Sequence, residues 1–288
     1  MLTVLLGFST SLVYGFADFF GALSSKKIKP ILVTLFSGLS GLFFLILMSP
    51  IFGMPSNPTA IFWGILAGLA SAIAITALYA SLAIGPISIL SPLGAVMSAL
   101  VPMAFAALVR GERFTTVGWF ALLGILLAVV LVGFIPGEDV RLPSAKGLTL
   151  GLIAGSFIGL VLICINQAPL DSGLTSVTVM RGVSASTIGL FILVAFIAKK
   201  NFQKSDFKGS AKTWATIALT GVLDSSANVF FLIAMRFGSL TVVSVLTALY
   251  PLGTLILARV ILKEKIAKVQ LAGVLLALTC SALLASGI

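Results

Sequence analysis

Apolar residues along this chain come in runs of about twenty, separated by short polar or helix-breaking interruptions. Runs of that length match the ~20 residues a helix needs to cross a ~30 Å hydrocarbon core. The pattern predicts ten helical spans, over residues 3–23, 31–52, 60–83, 87–109, 115–135, 147–168, 174–198, 212–235, 239–262 and 266–287. Some interruptions are very tight, as at Gly85–Pro86 and Arg236–Gly238, so the helices they join are antiparallel neighbours. Residues 1–23 lack a basic leading segment and contain Asp18, which favours a retained first span over a cleaved signal.

The second half of the pattern echoes the first. Trp63 is answered by Trp214, 151 residues on, and "LYASLAIGPISIL" by "FLIAMRFGSLTVV", with Gly85 answered by Gly238. "LVRGERF" is answered by "VILKEKI", with Glu112 matched by Glu264, 152 residues on. Gly7, Ser11 and Gly15 recur as Gly151, Gly155 and Gly159, 144 residues on. Self-similarity at this spacing predicts a first five-span unit at 1–135, a connection at 136–146 and a second unit at 147–288. Five is odd, so the second unit enters the bilayer upside down. Inverted repeats in secondary transporters place the substrate near the midplane between the halves. The expected fold class is therefore all-α integral membrane: ten transmembrane helices as two inverted five-helix repeats around a central cavity. Gly147, Gly151, Gly155 and Gly159 share one helix face and are expected to allow close backbone packing.

Composition agrees. The chain is 59% hydrophobic and 9% charged, against about 25% charged in soluble domains, and its mean hydropathy is +1.22. A net charge of +10 does not point to nucleic acid, because no basic stretch is interleaved with stacking aromatics. It instead reflects the gathering of Lys and Arg in cytoplasmic loops. Loops after odd-numbered spans hold thirteen basic residues: Lys26, Lys27, Lys29, Arg141, Lys146, Lys199, Lys200, Lys204, Lys208, Lys212, Lys263, Lys265 and Lys268. Loops after even-numbered spans hold only Arg110, Arg113 and Arg236, which places the odd loops in the cytoplasm and both termini outside. Cys164 and Cys280 each stand alone in an apolar run and there is no His, so neither a disulfide framework, a metal cluster nor a cofactor is expected. The expected location is the plasma or inner membrane, with the lipid bilayer and a small-molecule substrate as partners.

Ionisable groups inside spans are costly and are functional candidates by default. Asp18 lies in span 1 with Tyr14 one turn earlier on the same face, a pairing of charge and π face suited to a cationic or zwitterionic ligand. The alternative is a boundary carboxylate paired with Lys26 or Lys27. In span 8, "GVLDSSANVFF" puts Asp224 and Asn228 on one face at mid-membrane. Asp224 can hold an amine or a proton, or can be neutralised by Arg181 of span 7, which could otherwise clamp a carboxylate or phosphate. Tyr79 and Tyr250 complete the candidate set, and Arg259 closes span 9. Pro92, Pro102 and Pro251 loosen spans 4 and 9, and the backbone groups they free must face protein or water.

Taken together, the Ala-rich "ALYASLAIGPISILSPLGAVMSAL" before "LVRGER" and its second-half counterpart before "VILKEK" resemble the EamA-type repeat of the drug/metabolite transporter superfamily. "VYGFADFF" resembles that family's first-span opening, and Arg181 sits where its repeats often carry an Arg. The first half departs from the pattern, with "LFSG" at Leu35–Gly38 where an Arg would answer Arg181. The resemblance implies a ten-helix basket opened alternately to each side, exporting amino acids, other metabolites or drugs, or exchanging sugar phosphates. It also implies termini inside, opposite to the charge count. The leading expectation is a secondary transporter, an exporter of small metabolites, drawing on a proton gradient if Asp18 or Asp224 changes protonation. The alternatives are a lipid-carrier flippase or a non-transporting membrane partner. An intramembrane enzyme is disfavoured, since Asp224 and Ser225 point in different directions on a helix. The charged clusters at Arg110–Arg113 and Lys263–Lys265 are expected to mark the water boundary after the fourth span of each unit.

Overall fold

The computed structural model describes residues 2–85, 87–111, 113, 115–133, 143–198, 202–261 and 267–285. Every regular element among them is helical: α1 Leu2–Ser25, α2 Pro30–Phe52, α3 Pro58–Ile84, α4 Ile87–Val109, α5 Thr116–Gly133, α6 Ala145–Gln167, α7 Thr175–Ile197, α8 Ala211–Ala234, α9 Leu240–Thr247, α10 Pro251–Ile261 and α11 Lys268–Ala285. Six of these (α1, α2, α3, α6, α7 and α8) are long and apolar enough to cross a membrane. Shorter apolar stretches run over Leu93–Val109, Thr116–Leu131 and Leu240–Thr254. Glu112, Lys263–Lys265, Arg141, Lys199, Lys200 and most of the 136–146 connection lie outside the described residues.

The helix ends follow local chemistry. Pro30 and Pro58 occupy first-turn positions of α2 and α3, where the missing N–H costs nothing. Asn57, Ser144, Ser210 and Ser239 cap α3, α6, α8 and α9, each side chain accepting from a backbone N–H three residues on. Gly53 and Gly85 close α2 and α3 at positive φ.

Span 9, expected as one helix over 239–262, is two. Pro251 has no N–H, and around it the backbone tightens to three-residue bonds: Leu249 N–H to Leu246 C=O at 3.1 Å and Tyr250 N–H to Thr247 C=O at 3.1 Å. Residues 248–250 therefore form a break between α9 and α10, and Tyr250 stands at it.

The principal contacts between the two halves join α3 to α6 and α7, α1 to α8 and α9–α10, α4 to α6 and α9, α2 to α7 and α8, and α5 to α11. The pattern is unchanged when α1–α5 are exchanged for α6, α7, α8, α9–α10 and α11 in order. Glycines permit the tightest crossings. A Cβ on Gly15 would meet the Tyr250 carbonyl and the Gly253 Cα, and one on Gly155 would meet the backbone of Gly94. The ladder Gly147–Gly159 faces Leu90, Leu93, Gly94 and Val101 of α4, so its role is packing.

Links at the two ends of the bundle respect an alternation of direction. At one end Lys29 Nζ donates to Asp206 Oδ2 at 2.8 Å and sits 4.8 Å from the Phe202 ring centre, joining the α1–α2 and α7–α8 loops. At the other end Thr3 Oγ1 donates to the Phe237 carbonyl at 2.7 Å, and Leu174 N–H to the Gly53 carbonyl at 2.9 Å. There too Arg110 meets Gln167, and Arg236 meets the Leu170 carbonyl.

Candidate functional site

Between the halves lies a cavity with about 40 Å³ open to water-sized contents. Tyr14 and Asp18 enter from α1, Ser71, Ala74, Ile75 and Leu78 from α3, and Ser98 from α4. From the other half come Ile158, Val161 and Leu162 of α6, Met180 and Arg181 of α7, Asp224 and Asn228 of α8, and Thr247 and Tyr250 at the α9–α10 break. Six of the seven residues singled out from the sequence thus line one space. Tyr79 stands one layer back, with its ring against Gly21 of α1, one turn beyond Asp18.

Arg181 and Asp224 form an ion pair, with both residues almost fully buried. Each charge is tolerated within the bundle because the other is present. The carboxylate is therefore already neutralised, the structural option weighed from the sequence. Asn228 extends the network: its Nδ2 donates to the Asp224 carbonyl at 2.8 Å, and its Oδ1 accepts from the Tyr14 hydroxyl at 2.9 Å. That second bond crosses from one half to the other. The helix period explains it, since Tyr14/Asp18 and Asp224/Asn228 are each i and i+4 on facing helices.

Asp18 is different. It is 5% exposed, yet it has no hydrogen-bond or ion-pair partner among the described residues. The expected alternative, a snorkelled pairing with Lys26 or Lys27, is not what the side chain does. Tyr250 donates to the Ser91 carbonyl of α4 at 3.1 Å, which ties the helix break to the first half. Two further donors near the cavity are unused, Arg181 Nε and Thr247 Oγ1. The site therefore offers one uncompensated carboxylate, a guanidinium already in use, phenol faces and a largely apolar wall. No group of three or more His, Cys, Asp or Glu comes together among the described residues.

Sequence reasoning passed over Ser71, Ile75, Ser98, Ile158 and Leu162. A signal for them existed in the duplication. Adding 144 to Tyr14 and Asp18 gives Ile158 and Leu162, adding 153 to Ser71 and Ile75 gives Asp224 and Asn228, and adding 152 to Ser98 gives Tyr250. All ten line the cavity. The lining is two-fold in position and one-sided in charge.

No curated protein matches this chain. A solved structure described only as "Crystal structure of protein" shares the fold, with a TM-score of 0.73 over 98% of this chain and 96% of that one at 16% identity. Residues 145–286 match the model of the EamA-like transporter family. By that match its second half belongs to the EamA-like transporter family, and with its apolar helices the chain is a multi-pass membrane protein.

Proposed function

We propose that this chain is a secondary transporter that exports small metabolites across the plasma or inner membrane. Two inverted five-span units, residues 1–135 and 147–288, expose the cavity alternately to each side. The observation that carries the reading is the cavity itself, with its buried, partnerless Asp18 and its Arg181–Asp224 pair. Buried polar groups in a bundle are expensive, and a lone carboxylate facing unfilled space suits a ligand or a proton better than it suits stability. The contact pattern that survives exchange of the halves supports the repeat assignment and the ten crossings.

Among the candidates, Asp18, Tyr14 and Tyr250 are assigned ligand contact. Arg181, Asp224 and Asn228 form the charged wall that positions Tyr14, and Tyr79 backs Asp18. A proton gradient drives transport if Asp18 alternates between proton and ligand. Thermal unfolding of the purified chain, screened against amino acids, amines, sugar phosphates and nucleosides, followed by flux of the hits in proteoliposomes, tests this. A stabilising ligand that is also transported, with both effects lost in Asp18→Asn, is expected. Flux that persists in Asp18→Asn contradicts the assignment.

A further inference from the structure

We propose that the cavity takes an organic cation of single positive charge on an apolar or aromatic body, with Asp18 as its counter-ion, in preference to zwitterions and anions. The inference rests on the transporter reading and narrows its substrate class.

Charge matching in this buried, largely apolar space decides between ligands. Arg181 and Asp224 neutralise each other, so they add no net charge to the wall. Asp18 alone, among the described groups lining the cavity, has no opposite charge. A buried carboxylate without a counter-charge is strongly disfavoured, and a cation entering the cavity relieves it. The count stops at one, because the residue answering Asp18 across the two-fold is Leu162 and the one answering Asp224 is Ser71. A dication would leave one charge unmatched.

Anionic groups meet the opposite situation. Arg181 keeps an unused Nε–H, but its charge already belongs to Asp224. A ligand carboxylate there would put a second anion on one guanidinium, with Asp18 as a third negative charge nearby. Zwitterionic amino acids therefore gain at Asp18 and lose at Arg181. The remaining wall suits an apolar body: Ile75, Leu78, Ile158 and Met180 line it, and Tyr14 and Tyr250 add aromatic rings, which attract cations.

Three probes share a 4-hydroxyphenyl body and carry different charged groups on its side chain: tyramine (cation), tyrosine (zwitterion) and 4-hydroxyphenylacetate (anion). Isothermal titration of the full chain in lipid nanodiscs compares wild type, Asp18→Asn and Asp18→Glu. Tyramine is expected to bind wild type roughly tenfold or more tighter than the other two. Asp18→Asn is expected to weaken tyramine roughly tenfold or more, while Asp18→Glu keeps measurable binding. Unliganded Asp18→Asn is expected to unfold at or above the wild-type temperature, which removes misfolding as the cause. No tyramine binding, tyrosine or 4-hydroxyphenylacetate binding as tightly, or tyramine binding unchanged in Asp18→Asn each overturns the proposal. Proteoliposome flux separates the two claims. Tyramine bound but never moved contradicts the transporter reading alone, and tyrosine transported in preference to tyramine contradicts the cation site alone.

Discussion

Removing one member of the Arg181–Asp224 pair should damage the protein far more than removing both. Arg181 and Asp224 are 5% and 6% exposed, so neither can recruit bulk water when its partner goes. Breaking a buried pair by deleting one member costs about 3–5 kcal/mol, a shift in the unfolding equilibrium of roughly 10²- to 10³-fold or more. Arg181→Met should fall in that range, since it removes the ion-pair partner of the Asp224 carboxylate, and Asn228 donates to the Asp224 backbone carbonyl instead. Asp224→Asn should be milder, because the amide can still accept from the guanidinium. In Arg181→Met/Asp224→Asn the charges leave together and most of the loss should be recovered. The assay is denaturant unfolding in mixed micelles, followed by the fluorescence of the chain's three tryptophans, as a double-mutant cycle. A coupling energy of about 2 kcal/mol or more is expected. Additivity within about 0.5 kcal/mol would show that the pair does not hold the site together.

Other perturbations probe separate parts of the account. Tyr14→Phe removes the bond to Asn228 Oδ1 and strands a buried acceptor, so unfolding in the same assay should be easier by about 1–3 kcal/mol. Gly15→Ala places a Cβ against the Tyr250 carbonyl and should cut folded yield on size-exclusion chromatography by overpacking of about 1–3 kcal/mol or more. Gly182→Ala meets nothing within 4 Å and should instead stabilise by about 0.5–1 kcal/mol. At the basic end, the Lys29 ammonium bonded to Asp206 holds that carboxyl below its ordinary 3.8, with the Gln203 N–H adding to it. A depressed carboxyl contributes stability above its unfolded value and loses it as pH falls through the folded value. Thermal scans of Asp206→Asn should therefore show a slightly lower midpoint at neutral pH and a shallower decline below about pH 4.

Much of the architecture was written in the apolar runs. Breaks at Gly53, Gly85 and Gly173 and caps at Ser144 and Ser210 fall where the turn chemistry puts them, and helix ends agree with the expected spans within a few residues. Span 9 was legible in part: Pro251 signalled loosening, but whether a proline kinks or splits a helix depends on what receives the freed backbone, and here three-residue bonds and Tyr250 do so. Asp18, Asp224 and Arg181 stood out because charge is rare in such runs. The Arg181–Asp224 pairing was one of the readings the sequence left open, and the packing of α7 beside α8 decides it. Ser71 and Ser98 were hidden for a different reason. A hydroxyl in a membrane helix can satisfy itself on its own backbone, as Ser98 does with the Ala95 carbonyl at 2.9 Å, so its presence carries little information. Only the repeat offsets mark it. At the cluster Arg110–Arg113, Arg110 reaches Gln167 at the end of α6.

The central claim is that one cavity opens to both sides of the membrane, and it can be tested without knowing the substrate. Ser71, buried and cavity-lining, is replaced by Cys in a chain whose own Cys164 and Cys280 are changed to Ala. A membrane-impermeant thiol reagent is then applied to right-side-out and to inside-out vesicles. The account predicts labelling from both sides, at different rates. Labelling from one side only, or from neither, contradicts alternating access through this site.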